Sequence, residues 1–595
     1  MKIKINRNIL WAETLVKELV SSGVKYASLS PGSRNTPLTL AFAYNKKIKS
    51  FIHVDERSSG FFALGLAKAA GTPVAIVCTS GTATAELYPA IVEAYQQRVP
   101  LIVCTADRPA ELRGRGANQT INQNNLYKNH IRLFFDPGLP QTDFNSLTAL
   151  RDGISEAVNK SLHSAKGPVH INLPFKKPFE PKTFTDEVDD DLFTSLDKSV
   201  NSNNQSGKTD PDNLIKKSWI KNISSLALKF EKGIIITGPG HFNNDFISEC
   251  GRLSLKLGYP IFADATSQLR FGRHNKENVI SNYDAFLRSQ NFSNKIQPEI
   301  IIQFGRTITS KGLENFLKNS SAERFMINEF GDWFDPSGKA RASYACEPLA
   351  FCRSLNEILE LKKLNRKSTS WTGLIKYADR RAIDLKRTII DKSVFPNECR
   401  VIEEVLHAAP DGSNIMLSNS MPVRDFDYFA SNKNKSIEVF NNRGASGIDG
   451  ITSTALGISA VGGKPTILIT GDLAFYYDLN SLLAAQKYKS NLIIVLLNNN
   501  GGGIFQILPI SKYGKVFKDY FIAPHKLNFS ALVKAYGADY HLVRGWKNFQ
   551  TLFKQAALKK QLTVLEIKTD AVQSVKLRKE FWKEVDKNLS AGHEI

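Results

Sequence analysis

The chain has 595 residues, 42% of them apolar and 23% charged, with a net charge of +21 and a pI near 9.5. That length implies three or more domains rather than one core, and no stretch reaches the roughly 20 apolar residues a transmembrane helix needs. The Lys and Arg residues are dispersed among acidic ones without a zinc-finger or RNP pattern, so the basicity reads as a solvated surface suited to small anions. A nucleic-acid partner is not expected, and tight, salt-dependent nucleic-acid binding stands as the rival reading from another class.

The start, "MKIKINRNILWAETLVKELV", is basic, but Glu13, Lys17 and Glu18 interrupt any leader-like apolar run. A soluble, cytoplasmic protein is expected. In chain order, "VKYASL" (24–29), "FIHV" (51–54), "PVAIVC" (73–78) and "PLIVCT" (100–105) read as strands, with amphipathic helices at 58–71 and 82–97 between them. Strand–helix alternation of this kind predicts a parallel α/β sheet. A first domain over 1–185 is followed by a polar, Ser-, Asn- and Asp-rich linker over 186–212. A central domain over 213–375 carries the strands 233–238, 260–264 and 299–305. After a charged helical stretch, a domain over 390–595 carries the strands 413–418, 465–472 and 491–498. The fold class is therefore α/β, with three domains, each a mostly parallel sheet flanked by helices. The six cysteines form no CxxC pair, and neither a disulfide framework nor a zinc site is indicated.

Ligands of open parallel sheets bind beyond the carboxyl ends of the strands. Those ends read "SPGSRNTP" (30–37), "DERSSG" (55–60), "TSGT" (79–82) and "TADRP" (105–109) in the first domain. In the third they read "SNSMPVR" (418–424), "NNRGASGIDG" (441–450), "GDLAFYYD" (471–478) and "NNNGGG" (498–503). Eight small, polar or charged strand ends in two domains exceed what turn chemistry alone requires. Asp472 ends one strand and a run of asparagines ends the next. A carboxylate with an amide oxygen is a hard-oxygen set suited to Mg2+, which in turn favours a phosphorylated ligand. Gly471 lets backbone approach a phosphate.

The "GD" and "NN" strand ends resemble the signature of thiamine diphosphate enzymes. The resemblance implies thiamine diphosphate held through Mg2+ (or Mn2+) by Asp472, Asn499 and the Gly501 carbonyl, with Asn498 and Asn500 as supporting turn residues. It implies that Glu56, in "HVDERSSGFF", is the catalytic carboxyl that bonds the aminopyrimidine ring and so promotes loss of the reactive carbon's proton. By itself Glu56 would read as a first-turn acid favoured by the helix dipole. The domains then become pyrimidine-binding, central and diphosphate-binding.

At a finer level, "PGSRNTPLTLA", "TSGTATAELYPA", "TADRPAELR", "GANQTI", "NRGASGIDG" and "NNNGGGIF" are similar to the 2-succinyl-5-enolpyruvyl-6-hydroxy-3-cyclohexene-1-carboxylate synthases of menaquinone biosynthesis. Their reaction decarboxylates 2-oxoglutarate and adds the succinyl carbanion to isochorismate. The resemblance implies a substrate site of Ser33, Arg34, Arg108, Asn118, Gln119, Lys311, Asn419, Ser420, Arg424 and Arg443. Arg suits bidentate carboxylate binding. It also implies cofactor contacts by Ser420, Ile448, Gly471, Asp472 and Leu473, with Ile504 and Phe505 as an apolar, water-excluding wall. One departure is "SKGLEN": Gly312 follows Lys311 where the family carries a second base. The central "GPGHFNN" is not a phosphate-binding pattern, so no FAD or nucleotide is expected there, only a structural and oligomerising role. A homo-oligomer with active sites at the dimer interface is expected, as dimer or tetramer. Another thiamine enzyme, an acetolactate synthase or simple 2-oxo-acid decarboxylase, is the alternative.

Overall fold

A computed structural model describes residues 2–163, 165–196, 215–366 and 368–590. The part of the expected linker from 197 to 212 lies outside the described residues. The chain divides into two compact units: 1–210 with 442–463 and 474–491, and 211–441 with 464–473 and 492–595.

The first unit carries β1 (Lys2–Ile5), β2 (Tyr26–Leu29), β3 (Lys49–Ile52), β4 (Val74–Cys78), β5 (Leu101–Asp107), β6 (Phe134–Phe135), β7 (Val169–Pro174) and β8 (Asp186–Asp189). Six of these form one parallel sheet in the order β3-β2-β4-β5-β7-β6, while β8 pairs antiparallel with β1. β4 and β5 are buried at every residue. That is why "VAIVC" and "LIVCT" show no polar alternation: helices cover both faces of a parallel sheet.

The second unit holds two further six-stranded sheets. One comprises β9 (Gly233–Thr237), β10 (Ile261–Ala263), β11 (Val279–Ile280), β12 (Ile300–Phe304), β13 (Glu323–Asn328) and β14 (Ala342–Ala345), in the order β11-β10-β9-β12-β13-β14. The other comprises β15 (Ser413–Leu417), β16 (Ile437–Asn441), β17 (Thr466–Gly471), β18 (Leu492–Asn498), β19 (Asp539–Leu542) and β20 (Thr563–Lys568), in the order β16-β15-β17-β18-β20-β19. All pairings within both sheets are parallel. The expected α/β class with three sheets is what the chain adopts, and the sheets are wholly parallel. Among the described residues, no helix is long and apolar enough to cross a membrane.

Helix Glu56–Ala70 positions the N-terminal site. Asp55 caps it, its Oδ1 accepting from Ser58 N at 3.2 Å, and Gly71 ends it in the left-handed conformation. Within the same unit it packs on helix Ile451–Ser459 with no room to spare, since a Cβ at Gly457 would meet the Phe62 carbonyl oxygen at 2.1 Å. Gly457→Val is therefore expected to cost about 1–3 kcal/mol by overpacking. It should lower the urea midpoint of unfolding with the slope unchanged; an unmoved midpoint would contradict this packing.

Candidate active site

In the first unit the candidate residues gather where the strand order reverses, at the carboxyl ends of β2, β4 and β5. Ser33 and the half-buried Arg34 follow β2, and the buried Arg108 follows β5. Burial, then the charge of Arg108, presses the Arg34 pKa down to about 10. Burial also lowers that of Arg108. The acid that opposes both shifts, Asp107, is already engaged by Arg113 at 2.9 Å and by Asn172 Nδ2 at 3.0 Å. Two neighbouring guanidiniums whose shared acid is already engaged suit an anion. Arg108 donates to Ser80 Oγ, and Ser80 and Gln119 exchange hydrogen bonds at 3.1 and 3.0 Å. Gln119 thereby joins Arg108, while the neighbouring Asn118 is exposed.

Glu56 opens its helix, half-buried. Burial raises its pKa, and the nearby acids Asp55 and Glu86 add to the rise. Its two neighbours are otherwise engaged. Asp55 caps the helix and accepts from Asn480 at 3.0 Å, while Arg57 donates to the Tyr477 carbonyl at 3.0 Å. The loop bearing Arg443 and Ile448 belongs to this unit. The buried carboxylate of Glu93 holds it by accepting from Gly444 N at 2.8 Å and Ala445 N at 2.6 Å. Glu93 escaped the sequence reading because a carboxylate in "AIVEAYQQ" looks like an ordinary helix-surface acid.

In the second unit the reversal between β15 and β17 sets the loop 418–420 beside the end of β17. Asp472 is buried there. Its Oδ1 accepts from Leu473 N at 2.7 Å and its Oδ2 from Gly501 N at 3.0 Å, with His525 Nε2 3.2 Å away. Burial raises its pKa against those hydrogen bonds, and a nearby cation would favour the charged form. His525 is a neighbour that spacing alone gave no reason to single out.

The three asparagines after β18 divide their work. Asn498 donates to Glu566 at 2.7 Å, and Asn500 accepts from Lys526 N at 2.8 Å. Asn499 donates its Nδ2 to Glu398 at 2.9 Å, which leaves its buried Oδ1 without a hydrogen-bond partner. Gly501 sits at φ 143°, where a Cβ would strike the Ile522 carbonyl oxygen at 2.1 Å. An orphaned amide oxygen in the same loop whose Gly501 N–H binds a buried carboxylate fits a hard divalent cation. A cavity of about 220 Å3 lies against Asn499, lined also by Gly503, Gln506, Ile522 and Thr569.

Ser420 holds φ 70° at the start of helix Met421–Phe429, and its carbonyl accepts from Arg424 at 2.6 Å. Such a non-glycine outlier beside a candidate site is where backbone strain is tolerated for function. Asn419 and Ser418 are buried, and the Ser418 hydroxyl has no partner. Gly471 and Leu473 flank Asp472. Ile504 and Phe505 lie half-buried in a short helical turn, with Phe505 5.5 Å from Phe521. Lys311 is exposed and pairs with Glu314 at 2.6 Å. The absent second base has a physical reason: Gly312 N donates to Asp284 at 3.0 Å, and a Cβ there would meet the Asp284 carbonyl oxygen at 2.6 Å.

Three family models match the chain in succession. They are the N-terminal TPP binding domain of thiamine pyrophosphate enzymes (residues 11–126), the middle domain of thiamine pyrophosphate (210–417) and the C-terminal TPP binding domain (428–567). Among solved structures, benzoylformate decarboxylase from Polynucleobacter necessarius superposes with a TM-score of 0.68 at 16% identity, covering 94% of this chain and 98% of that one. Rhodococcus jostii 4-hydroxybenzoylformate decarboxylase gives 0.69 at 14%, covering 94% and 99%. At such identities the likeness speaks for the fold. The chain belongs to the thiamine pyrophosphate (thiamine diphosphate) enzymes.

Curated relatives place it more finely. A 2-succinyl-5-enolpyruvyl-6-hydroxy-3-cyclohexene-1-carboxylate synthase of Bacillus cytotoxicus is 38% identical over 95% of both chains. Those of Haloarcula marismortui and Geobacillus kaustophilus are 36% and 37% identical, over 98% of this chain and 99% and 98% of theirs. Within its class the chain belongs to that synthase family.

Proposed function

We propose that the protein decarboxylates 2-oxoglutarate and joins the remaining succinyl unit to isochorismate, releasing CO2 and forming 2-succinyl-5-enolpyruvyl-6-hydroxy-3-cyclohexene-1-carboxylate for menaquinone biosynthesis. The near-full-length similarity to relatives named for that product carries the reading. The mutually repelling pair Arg34 and Arg108 favours it over an acetolactate synthase or a simple decarboxylase, whose acceptors are smaller and less charged.

Thiamine diphosphate, when bound, supplies the electron sink that a 2-oxo acid needs in order to lose CO2. The residues do the rest. Asp472, Asn499 and the Gly501 carbonyl would hold Mg2+ or Mn2+, and Gly471, Leu473 and Ser420 would contact the cofactor. Ile448 supports it, and Ile504 with Phe505 excludes water. Glu56, its carboxyl biased by burial toward the protonated form, holds a proton at the cofactor's aminopyrimidine. Ser33, Arg34, Arg108, Asn118, Gln119, Asn419, Ser420, Arg424 and Arg443 receive the substrates. Lys311 is the weakest member, its charge already shared with Glu314.

The same reading assigns a pyrimidine-binding domain to 1–185, a central domain to 213–375 and a diphosphate-binding domain to 390–595. It places the protein in the cytoplasm as a homo-oligomer with active sites shared between protomers. Exposed apolar side chains near Glu56, Val54 at 69% and Tyr477, on which Arg57 lies, at 49%, suit a covered surface.

An assay with 2-oxoglutarate, isochorismate, thiamine diphosphate and Mg2+, omitting each in turn, tests the reaction. Product should require all four, with one CO2 per isochorismate consumed. Decarboxylation that leaves isochorismate untouched would overturn the assignment.

A further inference from the structure

An asparagine amide can face a cation with its oxygen or, after a half-turn, with its nitrogen, and only the oxygen is a ligand. What decides between the two at Asn499 lies a hundred residues earlier in the chain. Glu398, in the first turn of helix Glu398–Ala408, is buried, and its Oε1 accepts from Asn499 Nδ2 at 2.9 Å. An ionised carboxylate only accepts, so it can satisfy the amide in one orientation alone. That orientation leaves Asn499 Oδ1 buried and unpartnered.

Glu398 is itself fixed from two further sides. Thr569 Oγ1, just after β20, donates to the same Oε1 at 3.0 Å. Arg578 of helix Ala571–Ser590, fully buried, donates from Nη2 to Oε2 at 2.9 Å. Arg578 also grips Asp425, Nε to Oδ1, at 2.7 Å, and Asp425 lies on helix Met421–Phe429, which begins next to Ser420. Arg578 takes the far oxygen of Glu398, which leaves Oε1 to Thr569 and Asn499. Thr569 and Arg578, both remote in sequence from Glu398, thus meet on one carboxylate that also takes the Asn499 amide. Burying two acids and one arginine is costly and gives weak grounds for stability alone. Orienting a ligand through its second hydrogen bond is a recognised use of such a group.

We propose that Glu398 is the positioning residue of the cation site, turning the Asn499 amide so that its oxygen faces the metal, with Arg578 and Thr569 holding Glu398 in place. This rests on the reading of Asn499 as a metal ligand. Mn2+ binding in the presence of thiamine diphosphate, read from the electron paramagnetic resonance of free Mn2+, tests it without turnover. Glu398→Gln, which can present an NH2 to Asn499, is expected to weaken Mn2+ binding about 10–100-fold, as loss of outer-shell partners does.

Asn499→Asp should also bind more weakly than wild type, because its second oxygen meets Glu398, although a carboxylate would otherwise strengthen a cation site. The double variant Asn499→Asp/Glu398→Gln reverses the hydrogen bond's polarity and should return toward the wild-type affinity. Wild-type affinity in Glu398→Gln, or a double variant no better than either single one, would overturn the positioning role. If Glu398→Gln does not fold, Asn499→Asp decides alone: tighter Mn2+ binding overturns the proposal and weaker binding supports it. Asn499→Ala separates the two levels. If it leaves Mn2+ affinity unchanged, the ligand assignment itself falls. If it weakens binding while Glu398→Gln does not, only the positioning role falls.

Discussion

Glu56→Gln is expected to reduce turnover of 2-oxoglutarate with isochorismate by about 100- to 10,000-fold, the range for losing a general acid–base group. The amide keeps the size and hydrogen-bonding capacity of the side chain but cannot exchange a proton. Helix Glu56–Ala70 should be unaffected, because its cap is Asp55 and its close packing is made by later turns. Affinity for thiamine diphosphate, measured by equilibrium binding, should therefore fall much less than turnover. Near wild-type turnover would show that another group handles the proton. Equal losses in binding and turnover would show that Glu56 only anchors the ring.

Asp472→Ala has the second large expected effect, on a different observable. Replacing outer-shell partners of a metal costs roughly 10–100-fold in affinity, so removing a charged ligand outright should exceed the top of that range for Mg2+ or Mn2+. The variant also strips Gly501 N and Leu473 N of their acceptor, so the loop after β18 loses its tie to the end of β17. Thiamine diphosphate binding should fail at metal concentrations that saturate the wild type. An unchanged metal requirement would contradict the ligand role. If active sites are shared between protomers as proposed, mixing the inactive Glu56→Gln and Asp472→Ala variants after subunit exchange should restore part of the activity. No recovery would place both halves in one protomer.

The parts of the fold legible in the sequence were those where one cause acts alone. β17 and β18 centre on the apolar runs "ILI" and "LIIVLL" and end in "GD" and "NNN", because a buried parallel strand has no polar face and must turn where the sheet stops. β20, "TVLEIK", was not singled out. Its buried Glu566 looks misplaced until Asn498 and Tyr540 are seen bonding to it. β6 is only Phe134–Phe135, too short for any periodicity.

The site divides in the same way. Asp472 and Asn499 could be named from spacing within one sheet and from family resemblance. Glu398, Glu93 and His525 could not, since each reaches the site from another element and has an ordinary local context. A first-turn glutamate such as Glu398 suits a helix N-terminus for dipole reasons alone, which conceals its bond to Asn499. Gly312 illustrates the converse. In the sequence it is a missing base, and in the structure it is a backbone N–H pressed against Asp284.

The most direct test of the account is anomalous diffraction from crystals grown with Mn2+ and thiamine diphosphate. One strong manganese peak is expected per protomer, bonded to Asp472, Asn499 Oδ1 and the Gly501 carbonyl. A manganese ion bound elsewhere, or a cofactor bound with the Asn499 oxygen turned away from the metal, would contradict it.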